Sequence, residues 1–230
     1  MTSMTNSTKI GDVLRHPASS RRELDKAIKD SVLDVHHRVS KAITGHGQIY
    51  LVGNGYDFDE FSARLAEKLG DVVSGVACLW QKPMPYPFPN GWRSFALQQE
   101  TVEPAGRDEK VLLLSQSIVA DEFELVTAAA RVWDSAAFER VVISGTMIER
   151  KVGQNLLKHF TALSVKLEFA TPEFWDADLS PVRDRVFANL DDRPMQLIPP
   201  MSQWMMEREF GPRPKDDPEF RIRQAQRRGR

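Results

Sequence analysis

The chain has a single cysteine, Cys78, among its 230 residues. An intrachain disulfide and a CxxC metal site are therefore excluded, and a thiol set among Val72, Val73, Val76, Ala77 and Leu79 fits a reducing compartment. No apolar run approaches the ~20 residues of a membrane helix. The polar opening stretch, residues 1–9, lacks the apolar core of a secretion signal. These absences predict a cytoplasmic protein with no membrane partner. An excess of one charge is also missing: 31 Lys and Arg against 32 Asp and Glu leave a formal net charge of -1, so any attraction to nucleic acid must be local. There is no GxxxxGK[ST] sequence, which rules out Walker-type phosphate binding, and no internal repeat.

What is present has the composition of one globular domain, 41% hydrophobic and 27% charged. Residues 1–19 are rich in Ser and Thr and are expected to be flexible. The domain is expected to span 20–210, and residues 211–230 to form a basic tail. Ser20 and Glu23 have capping-box spacing, and Leu24, Ile28, Val32, Val35, Val39 and Ile43 recur at helical spacing up to Gly45 and Gly47. This predicts a long N-terminal helix.

Strands are expected at 48–52, 72–80, 111–114, 141–143 and 165–169, with helices between them marked by Phe58, Phe61, Leu65 and Leu69, by Leu125, Val126, Ala129, Val132 and Trp133, and by Ile148, Val152, Leu156, Leu157 and Phe160. Strands alternating with helices imply βαβ units, and runs apolar on both faces imply a sheet covered on both sides. The fold class read from this is α/β: a mostly parallel, doubly wound sheet with an N-terminal helix and a small C-terminal hood. Residues 82–109, with four prolines within 83–89, are expected to form a long loop or a short edge hairpin, and exposed Phe88 and Trp92 there would suit a protein contact.

Ligands of open parallel sheets bind beyond the carboxyl ends of the strands, so three turns are candidate sites. Gly53-Asn54-Gly55 either brings backbone N–H groups to a phosphate or makes a tight turn needing positive φ. Asp57 and Asp59 nearby count against an anion there. Ser115-Gln116-Ser117 offers hydroxyls and an amide, and Ser144-Gly145-Thr146 offers hydroxyls beside a glycine, or simply caps a helix. Adjacent His36 and His37 cannot share a metal and read as surface residues. Cys78 and His159 form a nucleophilic pair only if the fold unites them, and Asp191-Asp192 reads as a turn. Arg221, Arg223, Arg227, Arg228 and Arg230, with no acid among them, suit nucleic acid or an acidic partner, or a merely solvated tail.

Over residues 35–205 the order of elements resembles the type I phosphoribosyltransferase family. The resemblance rests on the strand and Gly-turn at 49–55, the helix ending Leu65-Ala66-Glu67-Lys68-Leu69-Gly70, the strand at 72–80 and the long segment that follows. It implies that Gly53-Asn54-Gly55 falls where the family holds pyrophosphate, that 82–107 falls where a flexible segment closes the site, and that Trp204 belongs to a hood bringing an aromatic against a base. The signature strand, acidic pair and Thr/Gly-rich loop should lie within 110–130. Here Ser115-Gln116 stand in place of the acids, and Ile118, Val119, Asp121 and Glu122 in place of the phosphate loop. The resemblance with this departure implies a catalytically degenerate relative acting as a binding, regulatory or assembly module with no cofactor, a protein partner or a second copy of itself, and a nucleotide or sugar-phosphate as ligand. The alternative is a divergent active phosphoribosyltransferase, acting on a nucleobase with phosphoribosyl pyrophosphate and Mg²⁺, whose turns would surround an electropositive pocket.

Overall fold

Strand β1 (Gln48–Asn54) is buried along its length after Gln48, and its side chains alternate between two cores. Ile49 and Leu51 enter one, Tyr50 and Val52 the other, as a strand covered on both faces requires. The computed structural model describes residues 10–84, 94–106, 109–190 and 202–210. Within them β1 lies between β2 (Val73–Pro83) and β4 (Glu109–Ser115), and β6 (Arg140–Ser144) and β8 (Lys166–Ala170) continue the sheet beyond β4, all in parallel. Strand β3 (Phe95–Val102) pairs antiparallel with β2 at the edge. Of the two expectations for 82–109, the edge hairpin is therefore found; Phe88 and Trp92 lie outside the described residues. The sheet order β3-β2-β1-β4-β6-β8 gives the expected fold class, with β1 and β4 flanking the point where the winding reverses.

Helix α1 (Arg21–Ile43) begins at Ser20, whose hydroxyl accepts the Glu23 N–H while its own N–H donates to Glu23 Oε2 at 2.7 Å. All six residues of its expected stripe are buried, and the chain leaves the helix through Gly45 and Gly47 at φ of 80° and 76°. One core lies under α1, α2 (Ala63–Leu69), α5 (Ser180–Leu190) and α6 (Gln203–Phe210); the other lies under α3 (Glu122–Val132) and α4 (Arg150–Ala162).

Four details depart from the sequence reading. Residues 10–15, expected to be flexible, are helical, with Leu14 buried in the first core and the Arg15 guanidinium 3.7 Å above the Trp175 ring, a cation–π contact. Val72 stands before β2 rather than in it. Leu157 is 48% exposed, because Val152, Leu156 and Phe160 already fill the inner face of α4. Ile148, read as helical, belongs to a second sheet of three short parallel strands, β5 (Ile118–Val119), β7 (Met147–Glu149) and β9 (Phe174–Trp175). These follow β4, β6 and β8 after breaks of two or three residues, so three neighbouring strands jog together and resume as a smaller sheet. No helix among the described residues is long and apolar enough to cross a membrane.

Candidate functional site at the switch point

Strand register puts the candidate turns side by side. Cys78, Gly53, Ser115, Ser144 and Ala170 are successive partners across the sheet, a row of small residues at its carboxyl end. Just past this row come Asn54-Gly55, Gln116-Ser117 and Gly145-Thr146. The three turns named from the sequence thus converge at one end of the sheet, and all nine of their residues are buried.

Their glycines serve close approach rather than positive φ, which among the described glycines occurs only at Gly45, Gly47 and Gly70. A Cβ on Gly53 would lie 2.6 Å from the Phe58 ring and from Ser62 Oγ, and one on Gly55 2.2 Å from the Trp80 ring. A Cβ on Gly145 would lie 2.9 Å from the Gln116 carbonyl. Phe58 and Ser62 belong to a single π-helical turn, Phe58–Ser62, that folds the chain back over the row. Ser62 Oγ donates to Ser115, and Ser31 of α1 meets Thr146 with 2.7 Å between hydroxyl oxygens.

The backbone donors are committed to protein acceptors. The N–H groups of Gly55, Gln116 and Thr146 donate to the carbonyls of Leu79, Ser144 and Ser117 at 2.9, 3.1 and 2.9 Å. That of Ser117 donates to Asp57 Oδ2 at 2.6 Å. Ile118 and Val119, in place of a phosphate loop, are fully buried in β5, and Asp121 caps α3 by accepting the Phe123 N–H.

Two of the charged residues at this point, Glu124 and Arg183, are ones the sequence reading passed over; the third, Asp57, was named there as counting against an anion. Glu124, 3% exposed, accepts Asn54 Nδ2 on Oε1 at 2.8 Å, and Gln116 Nε2 and Arg183 Nη1 on Oε2 at 3.1 and 3.2 Å. Burial raises its pKa, and Arg183, Gln116 and Asn54 offset that in part. Burial also works against the Arg183 cation, but Glu124, Asp184 and Asp121 outweigh it and hold its pKa up. Asp57 is wholly buried. Desolvation pushes its pKa from 3.8 up to about 7 against the pull of Ser117, with Glu60 and Glu124 adding to the rise. Its Oδ1 and the Ser117 hydroxyl have no hydrogen-bond partner among the described residues.

A signal for the pair was present. Glu124 precedes Leu125 in phase with buried Ala128, and Arg183 lies one turn before buried Val186 and Phe187, so each charge falls on the buried side of its helix. Among the described residues the electropositive pocket expected of an active transferase does not form at these turns, since Asp57 and Glu124 face one buried arginine, Arg183. Nor do the carboxylates fit a Mg²⁺ site, because both Glu124 oxygens are engaged and Asp57 is enclosed.

Cys78 and His159 are not united. Cys78 is buried in the first core, while His159 lies on α4 over the second, edge-on to Phe123. His37 is exposed, whereas His36 is half-buried beside Ser40. The Trp204 ring centroid lies 6.1 Å from that of Phe58, and the Trp204 backbone N–H donates to Asp59 Oδ1. Asp191-Asp192 and the five tail arginines lie outside the described residues. Beside the switch point a cleft of about 290 Å³ opens, with Tyr56, Gln81, Lys82, Phe95 and Phe187 in its lining and Glu124 and Arg183 on its inner side.

Sheet and site define a doubly wound α/β protein whose switch point is filled by its own side chains. No protein-family model and no curated protein matches the chain. Among solved structures it is similar to a purine phosphoribosyltransferase from Pyrococcus horikoshii (11% identity, 64% of this chain and 83% of that one, TM-score 0.42). It is also similar to an adenine phosphoribosyltransferase from Leishmania donovani (13%, 75% and 72%, TM-score 0.45). A third is a hypothetical protein from Neisseria gonorrhoeae with bound ppGpp (10%, 71% and 92%, TM-score 0.42). The named enzymes among these neighbours come from the family the sequence resembles; at TM-scores below 0.5, the fold class rests on this chain's own sheet order.

Proposed function

We propose that this chain is a phosphoribosyltransferase-like protein that has given up sugar-phosphate transfer and works as a binding or regulatory module. One observation carries the reading: the backbone N–H groups of the turns after β1, β4 and β6, which would have to face a phosphate, are donated to Leu79, Ser144, Asp57 and Ser117 instead. A phosphate entering there would have to break those bonds and would meet Asp57 and Glu124. The reading extends to a protein or second-copy partner, and to nucleic acid through the tail arginines, both argued from sequence alone.

The test is calorimetric titration with phosphoribosyl pyrophosphate and Mg²⁺, together with transfer assays on common nucleobases. The expected result is no heat at millimolar ligand and no turnover. Turnover that disappears in Asp121→Asn or Glu122→Gln would establish the divergent enzyme in its place.

A further inference from the structure

The outer face of α4 combines unpaired positive charge with exposed apolar side chains. From Arg150 to Leu167 the sequence has no acid, in a chain with 32 of them. The acids around the helix are engaged: Asp176 by Arg150 at 2.6 Å, Glu168 by Lys166 at 3.3 Å and by Arg140, and Glu122 by the Asn155 amide at 2.9 Å. Lys151 and Lys158, exposed and two turns apart on the helix, have no ion pair among the described residues and give this face its sign. Leu157 stands beside Lys158 and is 48% exposed. Leu163, just past the helix, is 65% exposed, more than any other large apolar side chain described. The backbone there is held firmly. Ser164, at φ 59°, has the one positive φ outside glycine among the described residues. The N–H groups of Ser164 and Val165 donate to the carbonyls of Thr161 and Phe160 at 2.9 and 3.0 Å, which closes a helix-ending turn where glycine is the usual residue. A strained turn thus fixes the chain where Leu163 faces solvent, and strain of this kind points to a use.

We propose that this face docks an acidic amphipathic segment of another protein, its apolar side chains on Leu157 and Leu163 and its carboxylates toward Lys151 and Lys158. Opposite charge steers such an encounter and sets its salt dependence, while the leucines supply the apolar area removed from water. An anionic membrane does not fit, because the apolar stripe that would have to enter it, Val152, Leu156 and Phe160, is buried in the second core. The proposal rests on the reading of the chain as a binding module and gives that module a surface.

The test is fluorescence anisotropy with a labelled helical peptide of Glu, Ala and Leu, its leucines in one stripe, against a counterpart with Lys in place of Glu. Titrations use the full chain, Leu157→Ser, and the charge reversal Lys151→Glu with Lys158→Glu, with thermal melts confirming that each variant folds. The Glu peptide is expected to bind below ~100 μM, more weakly as salt rises, and the Lys peptide not to bind. Leu157→Ser weakens the Glu peptide roughly fivefold. The charge reversal abolishes its binding and transfers binding to the Lys peptide. Equal binding of the two peptides, no binding of either, or affinities unchanged in the variants overturns the proposal. Tighter binding to phosphatidylserine vesicles or to an RNA duplex than to the Glu peptide also overturns it, and would assign the face to a membrane or to nucleic acid. The two readings fail separately: phosphoribosyl transfer would end the non-transferase reading without altering these titrations, and silent titrations would remove the docking face while the turns stay closed.

Discussion

Arg183 of α5 reaches Glu124 of α3 with 3.2 Å between Nη1 and Oε2, both side chains nearly free of solvent, at the end of the sheet where the winding reverses. The pair ties helices from opposite faces of the sheet. Removing Arg183 strands the Glu124 charge, so Arg183→Met is expected to cost about 3–5 kcal/mol in urea unfolding, whereas Glu124→Gln leaves Arg183 its second partner, Asp184, and should cost less. The double variant loses both charges and keeps an acceptor oxygen for one of the two amide donors, Asn54 and Gln116. Its cost should fall well below the sum of the singles, and additive costs would show that the two residues act independently.

Asp57 makes stability depend on pH. Its folded pKa, about 7, lies above the ordinary 3.8, so the folded state keeps a proton that the unfolded chain releases. The stability it contributes is full below about 3.8 and is lost as pH rises through 7, with an upper bound of ~4 kcal/mol. Asp57→Asn stays neutral throughout. Unfolding from pH 5 to 8.5 should show a decline in the parent that flattens in the variant; parallel curves would mean that Asp57 is not the group responsible.

Gly55 and Gly45 separate two uses of glycine. Gly55→Ala drives a methyl into the Trp80 ring and should cost on the order of 2 kcal/mol or more, with a change in tryptophan fluorescence. Gly45→Ala meets nothing within 4 Å and pays only for its φ of +80°, roughly 1 kcal/mol, with no spectral change.

Much of the fold was legible because it follows local rules. The Ser20–Glu23 box and the stripe from Leu24 to Ile43 define α1, and runs apolar on both faces mark β1, β2, β4 and β6. The second sheet was not, since two- and three-residue strands such as Ile118–Val119 are too short to show a period. At the site, the three turns were named from the sequence as separate candidates; the strand register brings them together, and their closure depends on contacts between distant residues. Ser62 with Ser115, Ser31 with Thr146 and Asn54 with Glu124 are 53, 115 and 70 residues apart, beyond the reach of any spacing argument.

The central claim, that the amides at the switch point belong to the protein rather than to a phosphate, is tested most directly by amide hydrogen exchange at Gly55, Gln116, Ser117 and Thr146. The account predicts strong protection in the protein alone, unchanged by millimolar phosphoribosyl pyrophosphate and Mg²⁺. Fast exchange that becomes protected when that ligand is added would contradict it.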